Sequence, residues 1–177
     1  MTTDFTQDFF SLLGLPRAFA LDTERLDHAW RTAAAEVHPD RHASRPEAEK
    51  RVALMMATRV NEAYQTLKNP VNRGRYLLSL QGVDTGEETN TSMPADFLMA
   101  QMEWRESIED ARDSGEVEAL DALSARLRDE MRERVAELAV ALDTAPDLDA
   151  AALLVRKLRF LEKLEQEIGD AIESLLG

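Results

Sequence analysis

Two imidazoles and a carboxylate stand close together at His38, Asp40 and His42. Side chains of these types can bind a metal ion or act as a general acid and base. A metal site would need a third neutral ligand nearby, and Pro39 breaks the helix that would align the two histidines four residues apart. A catalytic pair would need a nucleophile, and no nucleophile–base arrangement is evident. A hydrolase or metalloenzyme is therefore not indicated, and from these residues alone His38-Pro39-Asp40 is a capped, solvated turn.

An amphipathic helix is predicted before this tripeptide. Asp22 suits the N-cap position, and apolar residues then recur at helical spacing, at Leu26, Ala29, Trp30, Ala33 and Val37. Pro39 disfavours helical geometry in the preceding residue, so we expect the helix to end near His38.

A second, longer helix is predicted to begin around Pro46, a residue suited to a first helical position. Its apolar stripe consists of Val52, Met56, Val60, Ala63 and Leu67. Two such helices joined by a short turn pack antiparallel, which would expose His38-Pro39-Asp40 at the tip of the hairpin. Asn69 and Pro70 then predict the cap and first turn of a short helix that runs through Leu80 and ends at Gly82.

The second half of the chain predicts three further helices, at about 94–112, 116–143 and 149–175. Their short connections favour a three-helix bundle, and no strand pattern is visible, so the predicted fold is all-α. Residues 82–93 are polar and contain glycine, which is typical of a linker. We therefore divide the chain into residues 1–81, a linker at 82–93, and a bundle at 94–177.

The first helix of the predicted bundle carries two apolar faces. At about 100° per residue, one side groups Phe97, Trp104, Ile108 and Ala111, which we expect in the core. The other side carries Leu98, Met99 and Met102, with Glu103 and Glu106 beside them. This second face is either a partner-binding surface rimmed by carboxylates or a surface that packs on the linker or the N-terminal half.

Charge and composition exclude several classes of partner. Of the net charge of −13, residues 77–177 hold 24 Asp/Glu against 10 Lys/Arg, and such an acidic half repels nucleic acid and anionic lipid. There is no cysteine, which excludes disulfides and thiolate ligands. The N-terminus does not resemble a signal peptide, and no apolar stretch approaches the roughly 20 residues that span a bilayer. We expect a cytoplasmic protein.

The N-terminal half resembles the J domain, which docks on DnaK-type heat-shock ATPases. The resemblance rests on His38-Pro39-Asp40 between two helices, followed by Asn61-Glu62-Ala63-Tyr64, Asn69-Pro70, Arg73 and Tyr76. It implies that His38, Pro39 and Asp40 stimulate ATP hydrolysis by the chaperone, with Arg31 and Arg41 adding charge. Two departures stand out: Val37 occupies a position that is usually aromatic, and the helix before the turn mixes acidic with basic residues.

The whole chain is similar to the HscB family of J-domain co-chaperones in iron–sulphur cluster assembly. The matching residues are Arg75 to Leu80, Phe97-Leu98-Met99, Glu103, Arg105-Glu106 and Val155 to Leu161. The resemblance implies a non-enzymatic, monomeric protein without a cofactor, which delivers an IscU-type scaffold protein to an HscA/DnaK-type chaperone. The implied scaffold-binding residues are Leu98, Met99, Met102, Glu103, Glu106 and Phe160. Phe160 also suits the core, since it is next to Leu161, and the alternative function is an interaction protein that binds another client or self-associates.

Overall fold

The computed structural model describes residues 5–86 and 93–177. The chain divides into two compact units, Met1–Leu77 and Leu78–Gly177. The described residues form helices and no strand, which confirms the predicted all-α fold. The helices are α1 (Phe9–Leu12), α2 (Thr23–Glu36), α3 (Glu47–Lys68), α4 (Pro70–Leu80), α5 (Ala95–Ser114), α6 (Val117–Ala139) and α7 (Leu148–Leu176). None of the helices described is long and apolar enough to cross a membrane.

Helices α2 and α3 form the hairpin of the first unit. The Asp22 side chain caps α2 by accepting a hydrogen bond from the Glu24 N–H at 2.9 Å, as the sequence predicts. Pro46 is the N-cap of α3 rather than its first helical residue, so the helix begins at Glu47, one position later than predicted. The buried residues of the hairpin include Leu26, Ala53, Val60, Ala63 and Leu67. Val52 was predicted in this stripe and is instead 38% exposed. The neighbouring residue Ala53, about 100° farther round the helix, occupies the buried position in its place.

Arg73 of α4 is a buried cation that fixes two backbone segments of the first unit. Its guanidinium donates to the carbonyl oxygens of Phe19 and Leu67, each at 2.7 Å, and lies 4.7 Å from the centroid of the Phe19 ring. These bonds supply the partners that a buried charge requires. They join the segment before α2 to the end of α3.

Tyr76 holds α1 in place within the same unit. The Phe9 N–H donates to the Tyr76 hydroxyl at 2.9 Å, and the two rings stack with centroids 4.6 Å apart. Burial raises the pKa of Tyr76. The stacked face and the hydrogen bond together orient the short helix α1, which is too short to be stable alone.

Helices α5, α6 and α7 contact one another and form the predicted three-helix bundle. The predicted core residues of α5 are buried, and they meet buried leucines of α6 and α7, among them Leu120, Leu127, Leu138, Leu158, Leu161 and Leu164. The Trp104 indole N–H donates to Glu130 at 3.2 Å. Helix α6 widens into a π-helical turn at Val140–Thr144 before α7 begins.

The segment after α4 belongs to the second unit. Gly82 takes a φ of 76°, which permits the chain to leave the helix. Thr85 is buried, and its carbonyl oxygen accepts a hydrogen bond from Arg156 of α7 at 3.1 Å. Residues 87–92 of the predicted linker lie outside the described residues, so the boundaries at 81, 82–93 and 94 stay predictions.

Candidate partner-binding sites

The tripeptide His38-Pro39-Asp40 opens a single 3₁₀ turn, Pro39–His42. His38 is its N-cap, and its Nδ1 accepts a hydrogen bond from the Asp40 N–H at 3.2 Å. Pro39 is the first residue of the turn, where its fixed φ suits the helical geometry. His42 Nε2 donates to the carbonyl oxygen of Glu36 at 3.0 Å and so ties the turn to the end of α2. The turn is therefore held in one shape before any partner binds.

The functional groups of this turn face solvent. The side chains of His38 and Asp40 are 59% and 95% exposed, with Nδ1 and Oδ2 3.7 Å apart. Because Nδ1 accepts a hydrogen bond, the neutral imidazole carries its proton on Nε2 and presents a donor to solvent. The turn thus offers a partner one donor and one carboxylate at little cost in ordering.

The arginines named with the turn are both exposed. Arg41 belongs to the 3₁₀ turn itself, and Arg31 lies on α2. Each leaves a guanidinium accessible to an acidic partner surface. In the described part of the chain, no group of three or more His, Asp or Glu side chains could hold a metal ion.

The second face of α5 is an exposed apolar patch. Leu98, Met99 and Met102 are 44%, 63% and 71% exposed, and Glu103 and Glu106 beside them are exposed as well. We call Leu98, Met99, Met102, Glu103, Glu106 and Phe160 the α5 patch. Large exposed apolar side chains with a polar rim are typical of a protein-binding surface.

Phe160 joins the α5 patch from α7. Its half-buried ring meets the buried Phe97 edge to face, with centroids 5.7 Å apart. The guanidinium of Arg105 lies 5.4 Å from the Phe160 centroid and donates to Glu167 at 3.1 Å. Phe160 therefore combines the two alternatives left open by the sequence, since it contacts the core and keeps part of its ring accessible. Arg105 was not predicted at this contact, because the spacing of residues within α5 does not indicate which residue of α7 lies beside them.

Two family models match the chain. A DnaJ domain matches residues 8–76, and an HSCB C-terminal oligomerisation domain matches residues 93–169. The first match contains the His-Pro-Asp turn, and the second contains the whole α5 patch.

Curated relatives and solved structures agree with these matches. The co-chaperone protein HscB homolog of Chromobacterium violaceum is 70% identical over 99% of both chains, and that of Azoarcus sp. is 53% identical over 99% of both. The structure of the chaperone HscB from Vibrio cholerae matches with a TM-score of 0.82 at 34% identity, covering 96% of this chain and 99% of its own. The human co-chaperone protein HscB matches with a TM-score of 0.88 at 31% identity, covering 94% of this chain and 82% of its own.

Proposed function

The chain belongs to the HscB family of J-domain co-chaperones, and from this we infer that it brings a scaffold protein to a heat-shock ATPase. One end stimulates ATP hydrolysis by an HscA/DnaK-type chaperone, and the other binds the IscU-type scaffold on which iron–sulphur clusters are assembled. The observation that supports this most is the coexistence of two exposed surfaces of different chemistry, the polar turn at His38–Asp40 and the apolar α5 patch.

The polar turn suits a role as a trigger. A preformed turn loses little conformational entropy on binding, so its few polar groups contribute most of their interaction energy to the complex. His38 and Asp40 supply the contacts, while Pro39 and the cap at His38 Nδ1 hold the shape. Arg31 and Arg41 contribute charge toward an acidic chaperone surface.

The α5 patch suits a partner that offers an apolar surface. Leu98 and Met102 lie one turn apart on α5, and the exposed part of Phe160 extends the surface onto α7. Methionine adapts its shape to a partner, and the rim carboxylates Glu103 and Glu106 disfavour acidic competitors.

Joining two partners on one chain raises the concentration of the scaffold at the chaperone without any covalent chemistry. We therefore propose a non-enzyme that has no cofactor of its own and acts as a monomer in the cytoplasm. Any iron–sulphur cluster is cargo carried by the scaffold.

The test is steady-state ATP hydrolysis by the HscA-type chaperone, with and without this protein and with and without the scaffold. We expect stimulation that rises further with scaffold and is lost in His38→Gln. The double variant Leu98→Ala/Met99→Ala is the matched control, because it should lose only the increment due to scaffold. Loss of both activities in both variants, with the helical fold preserved, contradicts the two-ended function.

A second candidate is self-association through the α5 patch. The matched family is described as an oligomerisation domain, and an exposed apolar face can serve as a dimer seam. Sedimentation at micromolar concentration distinguishes self-association from scaffold binding by a monomer. A dimer that dissociates in Leu98→Ala/Met99→Ala favours self-association, and a monomer favours the scaffold-binding function.

A further inference from the structure

Helix α3 exposes two consecutive large apolar side chains that the fold does not use. Leu54 is 60% exposed and Met55 is 58% exposed. The buried side of α3 consists of Ala53, Val60, Ala63 and Leu67. Neither Leu54 nor Met55 belongs to the apolar stripe read from the sequence, and their place outside that stripe is the signal that could have identified them.

Leu54 lies on the side of α3 that adjoins α2. Seven residues separate it from Asn61, which places the two within about 20° of each other around the helix axis. Asn61 accepts a hydrogen bond from the Trp30 indole of α2 at 2.9 Å, so this side of α3 borders α2. Met55 lies about 100° farther round, toward solvent.

The His-Pro-Asp turn contacts the helix that carries Leu54 and Met55. The turn follows α2 directly and contacts α3, in the same unit of the chain. A protein surface that receives His38 and Asp40 therefore adjoins α3.

The turn alone is too small to form a specific interface. Stable complexes bury about 800 Å² and roughly 20–30 residues on each partner. Further contact area must come from the helices that flank the turn. Binding energy in such interfaces is concentrated in large side chains that become fully desolvated.

The two flanking helices differ in what they offer. Helix α2 alternates acidic and basic side chains, among them Glu24, Arg25 and Arg31, which gives weak net attraction to a charged partner. Helix α3 offers Leu54 and Met55 beside the exposed Arg51. The apolar pair is the stronger candidate for an anchor.

We propose that Leu54 and Met55 are a second docking contact for the ATPase chaperone, binding an apolar surface next to the one that receives the His-Pro-Asp turn. This inference rests on the proposed function and adds to it a division of labour. The turn triggers hydrolysis, while the apolar pair sets the affinity of docking. Because Leu54 and Met55 are apolar, their contribution to docking should depend only weakly on salt.

The experiment measures chaperone ATPase activity against the concentration of the full chain, at low and high salt. For Leu54→Gln/Met55→Gln we expect the half-maximal concentration to rise about ten-fold or more, which corresponds to about 1.4 kcal/mol, with the maximal stimulation retained. The exchange Leu54→Met/Met55→Leu keeps the surface apolar and should behave as the unmodified chain. The exposed residues Val140 and Leu176 provide a matched control outside this surface, as Val140→Thr/Leu176→Gln.

His38→Gln in the same assay separates the two levels of inference. Stimulation that survives in His38→Gln overturns the proposed function itself. Stimulation that is lost in His38→Gln but has an unchanged half-maximal concentration in Leu54→Gln/Met55→Gln overturns only the docking contact. Circular dichroism verifies the fold of each variant, and a dimer of the unmodified chain that dissociates in Leu54→Gln/Met55→Gln identifies a second copy as the occupant and also overturns it.

Discussion

The rings of Phe97 and Phe160 meet edge to face with their centroids 5.7 Å apart. Phe97 is buried in the bundle, and Phe160 is half-buried at the edge of the α5 patch. One aromatic contact therefore joins the core of the second unit to its candidate binding surface. Phe160 of α7 packs on the core through Phe97 and remains accessible to a protein that binds the α5 patch.

Replacing Phe160 should affect binding and stability together. Phe160→Ala removes the contact with Phe97, and we expect scaffold affinity to fall about ten-fold and the free energy of unfolding to fall by about 2 kcal/mol. Phe160→Leu retains apolar area and should recover part of both losses. Calorimetric titration with the scaffold and urea denaturation measure the two effects, and an affinity unchanged in Phe160→Ala would remove this residue from the α5 patch.

Replacing Arg73 should destabilise the first unit. Arg73→Met leaves the carbonyl oxygens of Phe19 and Leu67 without their guanidinium donor, and we expect a loss of about 3 kcal/mol. The exposed Arg51 of α3 provides the control, since Arg51→Met should change stability by less than about 0.5 kcal/mol.

The two tryptophans report on the two units separately, because Trp30 lies in the first and Trp104 in the second. In a Trp104→Phe background, the urea midpoint seen by Trp30 fluorescence should drop for Arg73→Met. In a Trp30→Phe background, the midpoint seen by Trp104 should move less. Equal shifts in both backgrounds would mean that the effect of Arg73 is not confined to the first unit.

The first unit should become less stable at acidic pH, because the carboxylate of Asp8 is then protonated. Partial burial acts to raise the pKa of Asp8, but hydrogen bonds from Arg17 at 2.7 Å and the Ser11 N–H at 2.9 Å, with the charge of Arg17, outweigh it and lower this pKa. A lowered folded-state pKa means that the ionised form stabilises the fold. That stabilisation is present at neutral pH and is lost as the pH falls from near 3.8, the ordinary value, through the folded-state pKa.

Asp8→Asn provides the measurement. The unmodified chain should be more stable than Asp8→Asn at neutral pH, and the difference should shrink as the solution is acidified. Urea denaturation in a pH series gives both values. A difference that stays constant into strong acid would contradict the role of the Asp8 carboxylate.

Gly115 should be intolerant of ordinary side chains. It ends α5 with a φ of 70°, and its N–H donates to the Arg112 carbonyl oxygen at 3.1 Å. An added Cβ meets nothing within 4 Å, so the cost of Gly115→Ala comes from the left-handed backbone alone, about 1 kcal/mol, or about 2–4 °C in Tm. Gly115→Asn should cost less, because asparagine adopts this conformation more readily. Thermal denaturation followed by circular dichroism compares the two, and an equal loss would point to a steric cause.

Helical periodicity and capping residues account for most of what could be predicted. The spacing of Phe97, Trp104 and Ile108 predicts the buried face of α5, and the same projection places Leu98 and Met99 outside it. Asn69 caps α4 as expected, accepting from the Asn72 N–H at 3.0 Å. These features are local, since each depends on residues within one or two turns.

The remaining features depend on contacts between elements. No pattern in α5 alone reveals that Arg105 lies against Phe160 of α7, because residues that meet across helices have no fixed separation in sequence. Similarly, the Arg73 bond to Phe19 joins residues 54 positions apart. Val52 lies at the margin of the predicted stripe and is exposed, since the period identifies a face but not how much of that face the neighbouring helices cover.

The bond between Arg156 and Thr85 bears on how the two units can be recombined. A fragment that begins at residue 94, the predicted start of the bundle, lacks the buried Thr85 and leaves Arg156 without that acceptor. A chimaera that joins this bundle to a foreign J domain should therefore carry the native segment from Leu78 onward. The natural point of exchange between such modules lies within α4, ahead of the stretch that resembles a linker.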